Sequence, residues 1–330
     1  VPSIQPLRRP RPLRRGDRVA VVAPSGTIDP ERLASGLAIL RSWGLRPEVG
    51  AHVLTGCQEL PYLAASDAER AADLQRAWLD PGVAAVVCAR GGYGAQRIVD
   101  LLDWPALAAA PAKHLVGFSD ATALHEAVAL HLGLATLYGP MAAAQVFTTD
   151  AASAEGLRRA LFGEADGEPL AGPDAEPLVP GRASGVTAGG CLALLATSLG
   201  TPAARSSYAG AILCLEDVGE PLYALDRWLT QLLRSGALDG VAGIALGSWQ
   251  DCGGPPERLR ALFLDRLAPL GVPVAWELGF GHGPTSLTLP LGTAATLEVT
   301  PARTALTPAS DQAAPHPTPN PPPSPASRAG

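Results

Sequence analysis

Three apolar runs in the first half of the chain lack the in–out alternation of a half-exposed strand: VAVVA within 16–26, VAAVVC within 83–94, and HLVGF within 113–118. Their length and β-branched content predict strands buried on both faces of a parallel sheet. Amphipathic stretches alternate with them. Residues 30–43 read as a helix with Asp29 at the N-cap and Pro30 in the first turn, 65–79 as a helix capped by Ser66 or Asp67, and 95–102 and 120–132 as two more. Short strands are expected at 46–53 and 135–141. Strand and helix alternating at this spacing predict a parallel α/β sheet with right-handed crossovers.

The pattern changes after a stretch dense in Gly, Pro and acids, GEADGEPLAGPDAEPLVPGR, at 164–183. A boundary is expected there. Beyond it, strands are predicted at 211–216, 241–249, 273–280 and 293–300, and helices at 190–200, 221–236 and 255–271, a second mixed α/β domain. The division is therefore a Pro/Arg-rich arm at 1–15, a first domain at 16–163, a linker at 164–183, a second domain at 184–303, and a Pro-rich tail at 304–330 that cannot form a packed core. The arm is expected to be mobile and solvated.

Composition narrows the function. A net charge of −6 with 17% charged residues does not fit nucleic-acid binding. No apolar run reaches 18 residues, so no membrane helix is expected, and the basic N-terminus has no apolar segment after it to make a secretory signal. Five scattered cysteines without a CxxC or Cys/His cluster predict neither a zinc site nor a disulfide framework, and fit a reducing, cytoplasmic setting.

The candidate chemistry centres on GFSD, 117–120. Ser119 has two readings. It can cap the following helix with its hydroxyl, or it can stand on a strand-to-helix elbow as a nucleophile, with Gly117 and Ala121 as the small neighbours such a turn needs. A nucleophile needs a base and an orienting acid. Of six histidines, His282 in the loop GFGHGPTS stands out, because glycine loops after buried strands are where α/β proteins hold chemistry. Its plain alternative is a turn histidine. The acid candidates are Glu216, Asp217 and Glu220 in LEDVGE. Glu216 ends a buried strand and needs a partner, either a histidine or the following turn. Gly91 and Gly92 in RGGYG let backbone N–H groups approach a ligand, which suits an oxyanion hole completed by the N–H of Asp120. Phosphate binding is the competing use, but neither GxGxxG nor GxxxxGK[ST] occurs. Arg90 is a candidate for gripping a substrate carboxylate, or for pairing with Asp100 or another acid.

GDRVAVVAPSG, ARGGYGAQRIVDLLDW, KHLVGFSDATALHEAV, YGPM, GGCLALLATSLGTP, LCLEDVGEPLYALDRWLTQLL and WELGFGHG stand in one order, and together they resemble the LD-carboxypeptidase family of serine peptidases. The resemblance runs from about 16 to 300. It implies an N-terminal flavodoxin-like domain, a C-terminal swivelling domain and an active site in the cleft between them. It implies a triad of Ser119, His282 and Glu216, no metal or cofactor, and a homodimer. The implied substrate is a murein tetrapeptide that loses its terminal D-alanine in peptidoglycan recycling. A second branch of the family hydrolyses microcin C-type aminoacyl-nucleotides, and a general esterase or amidase is a more distant alternative. Cys191 departs from the asparagine of many relatives, which puts a local hydrogen bond in doubt.

Overall fold

The computed structural model describes residues 2–310, and two sheets organise them. The first half contributes β1 (Arg18–Val22), β2 (Arg46–Val49), β3 (Val83–Cys88), β4 (His114–Gly117) and β5 (Thr136–Tyr138). These run parallel in the order β2-β1-β3-β4-β5, the flavodoxin-like arrangement. The apolar runs form its central strands, β1, β3 and β4, where helices cover both faces and polar alternation would leave buried groups unpaired.

The helix Pro30–Ser42 starts where expected: the Asp29 carboxylate accepts from the N–H groups of Glu31 at 2.9 Å and Arg32 at 3.2 Å. The helix Asp67–Leu79 is capped by Ser66 rather than Asp67, because Glu69 reaches back to the Ser66 amide and closes a capping box.

The second half supplies β6 (Glu176–Val179), β7 (Gly181–Cys191), β8 (Ala211–Glu216), β9 (Gly243–Leu246), β10 (Val274–Trp276), β11 (Leu289–Leu291), β12 (Ala294–Val299) and β13 (Thr304–Pro308). Seven of these make a mixed sheet in the order β13-β12-β7-β8-β9-β10-β6, with β7 to β10 parallel. The eighth, β11, leaves that sheet and pairs antiparallel with β5, giving the first sheet its sixth strand. The chain between β10 and β11 therefore crosses from one sheet to the other, and His282 rides on it.

Three expectations differ from the structure. The 1–15 arm lies along the body: the amide of Ile4 donates to Ala209 O, that of Leu7 to Gly292 O and that of Leu13 to Leu161 O, and the Leu13 side chain is buried. Its apolar residues and backbone pairing outweigh the Pro/Arg content that reads as solvated. The 164–183 stretch is not all linker, since β6 pairs with the edge of β10 and β7 begins at Gly181. Residues 304–308 are strand rather than tail, paired along β12. The remaining tail expectation, 311–330, lies outside the described residues. A buried apolar cluster runs from Trp78 and Leu124 to Phe280 and Leu297, so the two halves share a core.

Candidate active site

Ser119 follows β4 by two residues, at the carboxyl end of the first sheet. Its φ is +62°, a left-handed conformation that costs a non-glycine residue roughly 1–2 kcal/mol. The elbow is tight: a Cβ on Gly117 would stand 2.7 Å from the Ala121 Cβ, so both neighbours must be small, as the sequence implied. The capping reading of Ser119 does not hold. Its side chain makes no cap bond to the one-turn 3-10 segment Ser119–Ala121 or to the helix Thr122–Leu132. Thr122 instead donates its hydroxyl to Ser119 O at 2.7 Å and accepts from the Cys191 amide at 3.0 Å.

The loops after β1 and β3 meet beside it. Gly26 N–H donates to Gly91 O at 3.0 Å, and a Cβ on Gly91 would lie 3.0 Å from the Ser119 Cβ and 3.1 Å from its Oγ. Only a residue without a side chain allows that approach. Among the described residues, the N–H groups of Gly91, Gly92 and Asp120 donate to no protein acceptor. The Asp120 side chain faces inward and accepts from Ala95 N–H at 2.7 Å; burial pushes its carboxyl above the ordinary range. Arg90 is exposed and donates to Thr27 O at 2.7 Å, not to Asp100.

In the second half, Glu216 ends β8 and is fully buried. Its Oε2 lies 2.6 Å from His282 Nδ1 and also accepts the His282 amide at 3.3 Å. A carboxylate only accepts, so Nδ1 carries the hydrogen and Nε2 is left as a lone pair when the ring is neutral. Gly281 has φ +99°, and a Cβ there would collide with the Glu216 carboxylate. The Phe118 ring packs on the imidazole, with centroids 4.8 Å apart. Burial works against the imidazolium, but the charge of Glu216, its hydrogen bond and the charge of Asp217 together outweigh it, and the His282 pKa is raised above 6.5.

Asp217 serves a different purpose: it accepts from Ala193 N–H at 2.9 Å and Val218 N–H at 2.9 Å, and from the Cys191 thiol at 3.5 Å. Burial and the neighbouring Glu216 push its carboxyl up to about 6. Cys191 thus keeps a polar contact at the position where the sequence put one in doubt. Glu220 is not a partner of His282; burial raises its pKa.

Tyr138, which the sequence reading passed over, connects the two halves. Its hydroxyl donates to Glu216 Oε1 at 2.5 Å and accepts the Ser119 amide at 3.0 Å. Burial, then the charge of Glu216, holds the phenol far above its ordinary pKa, so it stays a donor. The structure therefore joins His282 to Glu216 directly and Ser119 to Glu216 through one phenol. No hydrogen bond joins Ser119 Oγ to His282 among the described residues. The only signal for Tyr138 in the sequence is its place at the end of a short apolar strand, in YGPM. The other histidines among the described residues are engaged elsewhere: His125 sits between Thr136 Oγ1 and Gly117 O, and burial drops its pKa to about 4. His52 faces Asp73, His114 faces Arg11 O and His131 stacks on Trp104. Among the described residues no cluster of His, Cys, Asp and Glu could hold a metal ion, and no helix is long and apolar enough to cross a membrane.

Comparison with known proteins matches residues 19–139 to the LD-carboxypeptidase N-terminal domain and residues 184–297 to the LD-carboxypeptidase C-terminal domain. A Streptomyces coelicolor relative that carries a provisional carboxypeptidase name is 59% identical over 292 residues, covering 88% of this chain and 94% of its own. The murein tetrapeptide carboxypeptidase of Pseudomonas aeruginosa is 37% identical, over 85% of this chain and 93% of its own. Among solved structures, the muramoyltetrapeptide carboxypeptidase of Oxalobacter formigenes superposes with a TM-score of 0.73 at 27% identity, covering 89% of this chain and 99% of that one. The microcin C7 self-immunity protein shares the fold, with a TM-score of 0.80 at 22% identity over 91% of this chain and 98% of that one.

Proposed function

The chain belongs to the LD-carboxypeptidase family of peptidases, and from that premise we propose that it is a serine carboxypeptidase that releases the terminal D-alanine of a murein tetrapeptide, with Ser119, His282 and Glu216 as its triad. The observation that carries this reading is the 2.6 Å contact between His282 Nδ1 and a fully buried Glu216, held one phenol away from a serine in a strained elbow.

In this mechanism the Nε2 of neutral His282 takes the Ser119 hydroxyl proton as Oγ attacks the carbonyl of the L-centre. The imidazolium that forms is stabilised by Glu216, which already raises its pKa. The tetrahedral oxyanion sits against the N–H of Asp120, the residue after the nucleophile, and the N–H of Gly91 or Gly92. The Ser119 amide takes no part, because Tyr138 engages it. His282 then protonates the leaving amine, D-alanine departs, and water cleaves the acyl-enzyme by the same proton path in reverse. The Ser119–His282 hydrogen bond is the step this reading adds, and such bonds tighten when substrate is bound. The triad supplies nucleophile, base and orienting acid and the backbone N–H groups supply the oxyanion donors, so this mechanism calls on no metal or cofactor.

Product analysis by mass spectrometry tests the proposal. Murein tetrapeptide and an aminoacyl-sulfamoyl adenosine are offered side by side to the native protein and to Ser119→Ala. Tripeptide plus free D-alanine from the native protein alone supports it. Cleavage of the nucleotide analogue only would assign the chain to the microcin branch, and equal turnover by Ser119→Ala would remove the triad.

A further inference from the structure

A cavity of about 760 Å³ opens at the carboxyl ends of β9 and β10, with Gly283, Pro284 and Thr285 of the His282 loop on its wall. Its wall carries three carboxylates, Asp174, Asp251 and Glu277, and no lysine or arginine. Trp249, Trp276 and Leu259 supply an apolar and aromatic surface. Ser248 lines the same space; it is 6% exposed, and its Oγ has no hydrogen-bond partner among the described residues. A buried hydroxyl without a partner is costly unless something enters to meet it.

Glu277 is the least settled of these groups. It follows β10 directly, is half-buried, and holds φ at +53°. Among the described residues its carboxylate has neither a hydrogen bond nor an ion pair. Burial, and then repulsion from Asp174, pushes its carboxyl up to about 7. The N-terminal turn of the helix Pro256–Leu267 borders the cavity too, but a helix end brings only about half a positive charge. The Arg260 guanidinium lies over the Trp276 ring at 5.7 Å but is paired with Glu176, and the three carboxylates outweigh the helix end, so the pocket is a place for a cation. The carboxylates do not converge into a metal cluster, and aromatic walls favour a cation that carries carbon.

We propose that this pocket binds an organic ammonium group, seated between Glu277 and Asp174, with its carbon stem against Trp249 and Trp276 and Ser248 Oγ as a further acceptor. The pocket is wired to the catalytic side. Ser248 N–H donates to Phe280 O at 2.9 Å, Asp217 N–H donates to Ser248 O at 3.3 Å, and Gly283 on the rim is the next residue after His282. The ammonium has two possible sources: the side-chain amine of the substrate residue, which rests on the function proposed above, or a separate amine.

The probe is cadaverine, titrated into the full chain at mildly alkaline pH and followed by tryptophan fluorescence and calorimetry, with pentanol as the uncharged control. Saturable binding is expected, weakened roughly tenfold or more by Glu277→Gln and by Asp174→Asn, and unchanged by Ser119→Ala. No saturable binding would overturn the proposal, as would equal affinity in both variants once circular dichroism shows them folded. Asp174 is exposed, so its variant keeps the test open where Glu277→Gln fails to fold. If cadaverine and Glu277→Gln both raise KM for the tetrapeptide while kcat holds, the substrate's amine is the occupant; if cadaverine binds without changing hydrolysis, a separate amine is. Intact binding in a protein that hydrolyses nothing would count against the proposed function alone.

Discussion

The phenol of Tyr138 donates a 2.5 Å hydrogen bond to Glu216 across 78 residues of sequence, and neither residue is exposed to solvent. This bond ties the first sheet to the carboxylate that holds His282. Because the same oxygen accepts the Ser119 amide, the Ser119 backbone and the His282–Glu216 pair share one anchor.

Tyr138→Phe should therefore affect catalysis more than binding. It leaves the Ser119 amide and one oxygen of Glu216 unpaired in a buried setting, at a cost of about 1–3 kcal/mol. The expected outcome is a lower kcat with KM nearly unchanged, and a lower denaturation midpoint. Steady-state kinetics with a urea titration read both, and an unchanged kcat would show the anchor to be purely structural.

The strained elbow at Ser119 predicts an inversion between two inactive variants. Ser119→Gly relieves the φ of +62°, whereas Ser119→Ala keeps it. Relief of about 1–2 kcal/mol is partly offset by about 0.5–1 kcal/mol of added chain entropy in the unfolded state. Ser119→Gly should unfold at a higher denaturant concentration than Ser119→Ala, with hydrolysis abolished in both. The reverse order would mean that the elbow carries no strain.

Gly91→Ala introduces a methyl group 3.0 Å from the Ser119 Cβ and 3.1 Å from its Oγ. Ser119 must shift, and the loop N–H groups proposed as oxyanion donors move relative to it. Displacing one such donor costs about 2.7–4 kcal/mol of transition-state stabilisation, roughly 10²–10³ in kcat. A comparison of kcat for Gly91→Ala with that of native protein, at matched folded fraction, checks this.

The pH dependence follows from His282. Its folded pKa is raised above 6.5, chiefly by Glu216 against the opposing effect of burial. The base must be neutral, so kcat/KM should rise with pH through that raised value. Glu216→Gln removes the main cause, so the limb should move to lower pH while kcat falls. The sign for stability is opposite to that for activity. A raised folded pKa stabilises the fold fully below the unfolded value near 6.5, and that contribution fades as pH rises through the folded pKa. Denaturant midpoints for native and Glu216→Gln protein should therefore converge toward alkaline pH. A gap that stays constant across that range would remove the linkage.

Much of the framework was legible in the sequence because it is written in local patterns. The apolar runs of β1, β3, β4 and β8 mark strands buried on both faces, Asp29 and Ser66 mark helix starts, and Gly117 with Ala121 marks a tight elbow around Ser119. The glycine-rich β7, the short β6 and the three-residue β11 were not legible. Glycine carries no hydrophobic periodicity, and β6 and β11 each hold a proline, which argues against a strand in so short a run.

The candidate site divides in the same way. Ser119, Glu216 and His282 could be named from their local settings, a glycine loop or a strand end in each case. How Glu216 reaches His282, and through Tyr138 the Ser119 amide, is a tertiary matter. It depends on β11 leaving the second sheet to pair with β5, which draws the His282 loop across, and on Tyr138 bridging two sheets. It also decides that Ser119 does not cap its helix and that Asp217 turns to Ala193 while Glu216 turns to His282. Contacts between residues 66 or 78 positions apart leave no trace in local periodicity, because each partner satisfies its own segment's pattern alone. Only packing of the two sheets around a shared core brings the buried carboxylate, the phenol and the imidazole within hydrogen-bond reach.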